Sequence, residues 1–259
     1  MKILACVKQI PDMASRFKPN PAGNWYSEAD LAFRPNEYDE YAVEEAVKLR
    51  EKGAAAEAVA LSIGPARAAE ALKKALAMGC DRAVHVRDDE AHLRDPWQIA
   101  SLIAAYARKE NFELLFTGMQ SQDRGSGQVG PLVAEMLGWS CVTTVIHFSL
   151  DGRAITARRE LEGGARGVVK TSLPAVITCQ LGLNTPRYPT LPNIIKAKKK
   201  EIAVIRPQEL SSEGALAVTE KFYAPQKKGR ALVLEGGEPA ALAGRLLDIL
   251  KDKTTVLKG

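Results

Sequence analysis

The residues best suited to chemistry form one glycine-rich run, GMQSQDRGSGQVG, from Gly118 to Gly130. It follows the apolar stretch Leu114–Thr117 and leads into Val129, Leu132, Val133 and Met136, whose spacing predicts the buried stripe of a helix. Strand, glycine loop and helix in that order suit an anion. Glycines let the backbone approach closely, and the free N–H groups of the first turn around Gly127–Val129 point outward with the helix dipole behind them. Phosphate is the natural ligand. The run lacks the Gly-Lys-Ser/Thr end of a nucleotide triphosphatase loop, and it is not expected to be the fingerprint of an ordinary dehydrogenase either. Taken alone, it reads equally well as a structural turn.

Position favours the ligand. The first two-thirds of the chain alternates short apolar runs with amphipathic helices, which predicts a doubly wound α/β domain with a mostly parallel sheet. Strands are expected at Ile3–Val7, Ala58–Ile63, Ala83–Val86, Leu114–Thr117 and Ala175–Thr178. One helix is capped by Asn36, runs through Arg50 and stops near Gly53. A second has Pro65 in its first turn and ends at Gly79; a third opens at Asp95-Pro96, with Ile99, Leu102, Ile103 and Tyr106 facing the sheet. In such sheets ligands bind outside the carboxyl ends of the strands, where the strand order reverses. Four loops should converge there: Val7–Asp12, Asn36–Asp39, Ile63–Pro65 and Gly118–Gly130. Together they outline a pocket for an adenine nucleotide, although Asn36 and Pro65 also have purely structural readings as cap and first-turn residue.

Between Cys141 and Lys170 the period changes. Val142–Phe148, Arg153–Arg159 and Gly167–Lys170 alternate and are separated by Asp151-Gly152 and Gly163-Gly164, which predicts a small antiparallel section. Arg158, Arg159 and Arg166 flank it as a solvated edge or a partner contact. The segment from Pro207 to Gly236 is polar and broken by Pro and Gly, and a last amphipathic helix is expected over Pro239–Leu250. The organisation implied is a nucleotide-binding domain over 1–205 and an extended C-terminal arm over 206–259.

Composition narrows the classes. An apolar content of 46% over 259 residues supports a full core. No apolar run is long enough to span a bilayer, and Lys2–Val7 is shorter than a signal peptide's core, so a cytoplasmic protein that does not span the membrane is expected. Cys6, Cys80, Cys141 and Cys179 form no Cys-x-x-Cys pair, so neither a metal site nor a disulfide framework is indicated. The net charge of +5 comes largely from Lys196, Lys198, Lys199 and Lys200, with Lys227, Lys228 and Arg230 further on. No aromatic residues interleave with them, so nucleic acid is not the expected partner; a solvated face or a docking rim for an acidic protein is. His85, His92 and His147 lack partners spaced for catalysis, and Trp25, Trp97 and Trp139 read as packing residues. No catalytic nucleophile is identified.

One further stretch, LNTPRYPTLPNIIKAKKK from Leu183 to Lys200, spends three prolines on what reads as a stiffened surface loop rather than a helix or an inner strand. With VKQIPD at Val7, NEYDEYAVEEAVKLREKG at Asn36, ALAMGCDRA at Ala75 and the Gln120–Gly130 loop, in that order, it resembles the β subunit of electron transfer flavoproteins over about residues 1–205. The resemblance implies a heterodimer. Its α subunit carries the redox-active FAD, and its β subunit holds AMP, or a second FAD in electron-bifurcating members. Electrons pass from acyl-CoA or related dehydrogenases to a membrane quinone oxidoreductase. Carried over residue by residue, the nucleotide contacts fall on Cys6, Asn36, Glu37, Tyr38, Asp39, Ile63, Gly118, Gln120, Asp123, Gly125, Ser126, Gly127, Gln128 and Val129, many acting through the backbone. The dehydrogenase anchor falls on Leu191, beside Arg187 and Tyr188, and the lysines that tune docking fall on Lys196 and Lys199.

Two departures matter. A tyrosine beside the flavin in some relatives corresponds here to Met13. Bifurcating members also carry a run resembling D-R-A-F-A-G-A-D-T where this chain has Asp88–Pro96, whose acids and proline resemble the AMP-holding members instead. AMP is therefore the expected ligand and a second FAD the alternative. A reading of another class is a stand-alone adenine-nucleotide-binding protein resembling the universal stress proteins, which would have no use for the proline-braced loop.

Overall fold

The fold is built around β1 (Lys2–Cys6), whose Ile3, Leu4 and Ala5 are fully buried. In this computed structural model, which describes residues 1–211, 213–223 and 231–254, β1 pairs in parallel with two later strands. The small β2 (Gln9–Pro11) and β3 (Phe33–Pro35) form an antiparallel ribbon beside it, with Gln9 opposite Pro35. α1 (Glu37–Glu51) leads to β4 (Glu57–Gly64), α2 (Ala69–Met78) to β5 (Arg82–Arg87), and α3 (Pro96–Lys109) to β6 (Leu114–Gly118). Then come α4 (Val129–Leu137), β7 (Ser140–Asp151), β8 (Ala154–Glu160), β9 (Arg166–Ser172), β10 (Ala175–Cys179), α5 (Leu191–Lys199) and β11 (Ile202–Ile205).

The main sheet has nine strands in the order β11-β5-β4-β1-β6-β10-β7-β8-β9. Seven, from β11 to β7, are parallel; β8 and β9 join antiparallel at one edge. Helices cover both faces, so the central strands read as unbroken apolar runs rather than alternating ones. Ile3, Ala5, Ala58 and Phe116 pack toward α1 and α2, whereas Leu4, Val59, Leu61 and Leu115 pack toward α3 and α4. The chain steps outward from β1 through β4 to β5, then returns to the other side of β1 as β6. The order therefore reverses between β1 and β6. The expected doubly wound sheet and its antiparallel section are both present.

Several details differ from expectation. β2 and β3, each three residues long, leave no periodic signal. The prolines predict a loop from Leu183 to Lys200, yet from Leu191 the chain is helix: Thr190 caps α5 by accepting from the Asn193 N–H at 3.4 Å, and Pro192 sits in the first turn, where its missing N–H is harmless. Pro65 caps a short 3-10 turn, Ala66–Ala68, ahead of α2 rather than lying in α2 itself.

By contact density the chain divides into Met1–Tyr223 and Ala224–Gly259, so residues 206–223, grouped above with the arm, belong to the first unit. Leu210 packs against the core on the α3 side, Asp95 Oδ2 accepts from the N–H groups of Leu216 (2.6 Å) and Ala217 (2.9 Å), and the Phe222 N–H donates to Gly23 O at 2.7 Å. In the second unit, α6 (Pro239–Lys253) runs past the expected end at Leu250. Lys227, Lys228 and Arg230 lie outside the described residues. Among those described, no helix is long and apolar enough to cross a membrane.

Candidate functional site

A cavity of about 180 Å³ lies over the carboxyl ends of β1, β4 and β6, at the reversal of strand order. Cys6 and Ile63 line its floor. Gly118, Gln120, Asp123, Ser126, Gly127, Gln128 and Val129 form one side, and Asn36 and Asp39 reach in from the start of α1. Eleven of the fourteen expected contacts thus line one cavity. The other three stand just behind it: Glu37 accepts from Gln122 Nε2 at 3.0 Å, the Tyr38 hydroxyl is 3.5 Å from Gln120 Nε2, and the Gly125 N–H donates to Ser121 O at 2.7 Å.

Local sequence explains the loop's shape. Gly125 and Gly127 hold φ of +63° and +62°, a region closed to most side chains. The chain thereby turns so that α4 opens onto the cavity, and the first N–H groups of a helix have no carbonyl within it to serve. Gly125, Gly127 and Gly130 do fall at G-x-G-x-x-G spacing, which the reading of the run as unlike a dehydrogenase overlooks. The fingerprint's first glycine follows its strand directly, however, whereas here Met119 to Arg124 intervene after β6.

Asn36 takes the N-cap position of α1 but its side chain does not cap it. Instead Nδ2 donates to Gln120 O at 2.9 Å and Oδ1 accepts from the Gln122 N–H at 3.1 Å, so this amide braces the glycine loop. Asp39 does the same from the next turn, accepting from the N–H groups of Lys8 (2.7 Å) and Gly118 (3.0 Å). Burial pushes its carboxyl up to about 7 against the pull of those donors. A Cβ at Gly118 would lie 2.3 Å from Asp39 Oδ1 and 2.7 Å from Tyr38 Cβ, so only glycine fits. The Lys8 ammonium grips Asp123 at 2.6 Å and Ser121 at 3.2 Å. Desolvation holds Lys8 below its ordinary value, partly offset by Asp123. Burial, with Asp39 adding to it, keeps the Cys6 thiol protonated.

No local pattern marks the covering wall of Tyr26, Arg67, His92 and Arg94, which Arg124 of the glycine loop completes. Arg124 donates to the carbonyls of His92 and Arg94, the latter at 3.1 Å, and its guanidinium lies 4.7 Å from the Trp25 ring centre. Arg94 is in turn paired with the buried Asp88. His92, read as an isolated histidine, therefore belongs to the wall, and Trp25, read as packing, packs behind it against Tyr26, His92 and Arg124.

The expected docking residues stand apart from the cavity. Tyr188 and Leu191 are 95% and 76% exposed, an unusual display for large apolar side chains, and Lys196 and Lys199 are exposed on α5. Arg187 is committed within the chain: its guanidinium pairs with the buried Glu44 at 2.8 Å and with Glu51 at 2.6 Å, tying the loop to α1. Lys200 is likewise engaged, donating to the carbonyls of Cys80 and Asp81.

A doubly wound sheet with a glycine loop and a braced cavity at its switch point defines a ligand-binding α/β protein. The family follows from comparison: residues 24–210 match the electron transfer flavoprotein domain model. The chain is similar to the mitochondrial electron transfer flavoprotein subunit beta of Oryza sativa subsp. indica, at 38% identity over 99% of this chain and 100% of that protein. It is also similar to the subunit beta of Bacillus subtilis, at 38% over 86% and 87%, and that of Homo sapiens, at 40% over 81% and 83%. It belongs to the electron transfer flavoprotein β-subunit family.

Proposed function

We propose that this chain pairs with a flavin-bearing α subunit as an electron carrier between acyl-CoA or related dehydrogenases and a quinone oxidoreductase, and that its own pocket holds AMP as a structural ligand. The observation that carries this reading is the convergence of eleven of the fourteen family nucleotide positions on a single cavity at the switch point. The residues fit a nucleotide: the opening turn of α4 offers N–H donors to a phosphate, and Ile63 and Cys6 offer an apolar floor to a base. The α subunit's FAD supplies the redox chemistry when bound. The residues of this chain do something else. Asn36 and Asp39 fix the phosphate loop, and Lys8 neutralises Asp123 beside it. Arg187 stiffens the loop that presents Leu191, so little ordering entropy is lost when that side chain enters a partner's pocket.

The test is to co-produce the chain with the larger flavoprotein subunit and mix the complex anaerobically with an acyl-CoA dehydrogenase and its substrate. Bleaching of the flavin is expected, slowed about tenfold or more by Leu191→Ala at unchanged flavin content. A chain that purifies without a flavin-bearing partner and binds ATP by itself would instead be the stand-alone nucleotide-binding protein.

A further inference from the structure

A second cavity, of about 210 Å³, lies against the first and shares Tyr26, Pro65, Arg67 and His92 with it as a common wall. It is a separate cavity furnished for a ligand. Trp25 Nε1 and Arg67 Nε are buried there with no hydrogen-bond partner among the described residues, and Trp25 and Tyr26 stack with ring centres 4.5 Å apart. Such donors and rings are what the second half of a dinucleotide, with its carbonyls and flat ring, would use. One side chain ties this wall to the glycine loop. Arg124 stacks on Trp25, and its forked donors grip the carbonyls of His92 and Arg94, so three segments distant in sequence meet on a single guanidinium. With those donors and its face committed, Arg124 is not a free phosphate ligand despite its place in the glycine loop.

We propose that Arg124 is a specificity-determining latch that keeps the two cavities apart, so that the pocket takes a nucleoside monophosphate and refuses a dinucleotide. The inference rests on the nucleotide reading above. Opening the partition requires breaking charge-assisted hydrogen bonds and a cation–π contact at once, a cost that falls on a dinucleotide and not on AMP.

The experiment is calorimetric titration of the AMP-stripped heterodimer with AMP, ADP and FAD, comparing wild type with Arg124→Ala and Arg124→Lys. The second variant keeps the charge but cannot fork to both carbonyls, leaves Trp25 available to the ligand, and decides the matter if Arg124→Ala does not fold. The preference for AMP over FAD is expected to fall about tenfold in each variant. An unchanged preference in variants that still bind AMP, or equal weakening toward all three ligands, overturns the latch and leaves the AMP site standing. Wild-type complex that binds no AMP overturns the site reading and the latch with it.

Discussion

Asp39 concentrates the site's electrostatics in one carboxyl group. Folded, it holds its proton up to about pH 7, whereas its ordinary value is 3.8. Between those values the folded state binds more protons than the unfolded one, so this group makes stability fall as pH rises from about 4 to about 7, with no further loss above. Asp39→Asn should abolish that part of the slope. It should also cost on the order of 1–3 kcal/mol, because an amide can accept from only one of the two backbone donors, those of Lys8 and Gly118, and turns its own N–H₂ against the other. Urea unfolding at pH 5 and pH 8 checks both; an identical slope in the variant contradicts the assignment. Gly118→Ala tests the same contact from the other side. Since Asp39 is pinned, the added methyl has nowhere to go, and a loss of roughly 1–3 kcal/mol by urea unfolding, with loss of bound nucleotide, is expected.

Among the elements, the proline-braced loop and α5 divide two roles between neighbouring residues. Arg187→Ala leaves Glu44, 5% exposed, without its partner and should destabilise the protein by about 1–3 kcal/mol in chemical denaturation. Leu191→Ala, on an exposed helix start, should change stability by less than about 0.5 kcal/mol while slowing electron uptake from the dehydrogenase. The central strands and helices were legible in sequence because burial on both faces leaves continuous apolar runs and because helix signals such as Asp95-Pro96 are local. Asp95 does cap α3, in a capping box with Gln98. β2 and β3 were not legible, being defined by their pairing rather than by any period. α5 was not legible because Pro186, Pro189 and Pro192 crowd its start, although a first-turn proline is compatible with a helix. The glycine loop and the strand ends that form the pocket floor could be read. The wall of Tyr26, His92 and Arg94 could not, since it exists only where distant segments meet.

For the whole molecule, charge and the switch point set the behaviour. The net charge of +5 is displayed partly by Lys196, Lys198 and Lys199, all exposed on one helix beside Leu191. Association with an acidic dehydrogenase surface should therefore slow roughly tenfold between low salt and about 0.3 M salt in stopped-flow mixing. Lys196→Gln with Lys199→Gln should flatten that dependence without altering the flavin. The sheet puts its strand reversal under the cavity, and Asn36 and Asp39 brace the glycine loop beside it. The most direct test is therefore to denature the purified heterodimer and count the nucleotides it releases by chromatography. Equimolar FAD and AMP is the result predicted; a second FAD in place of AMP would contradict it.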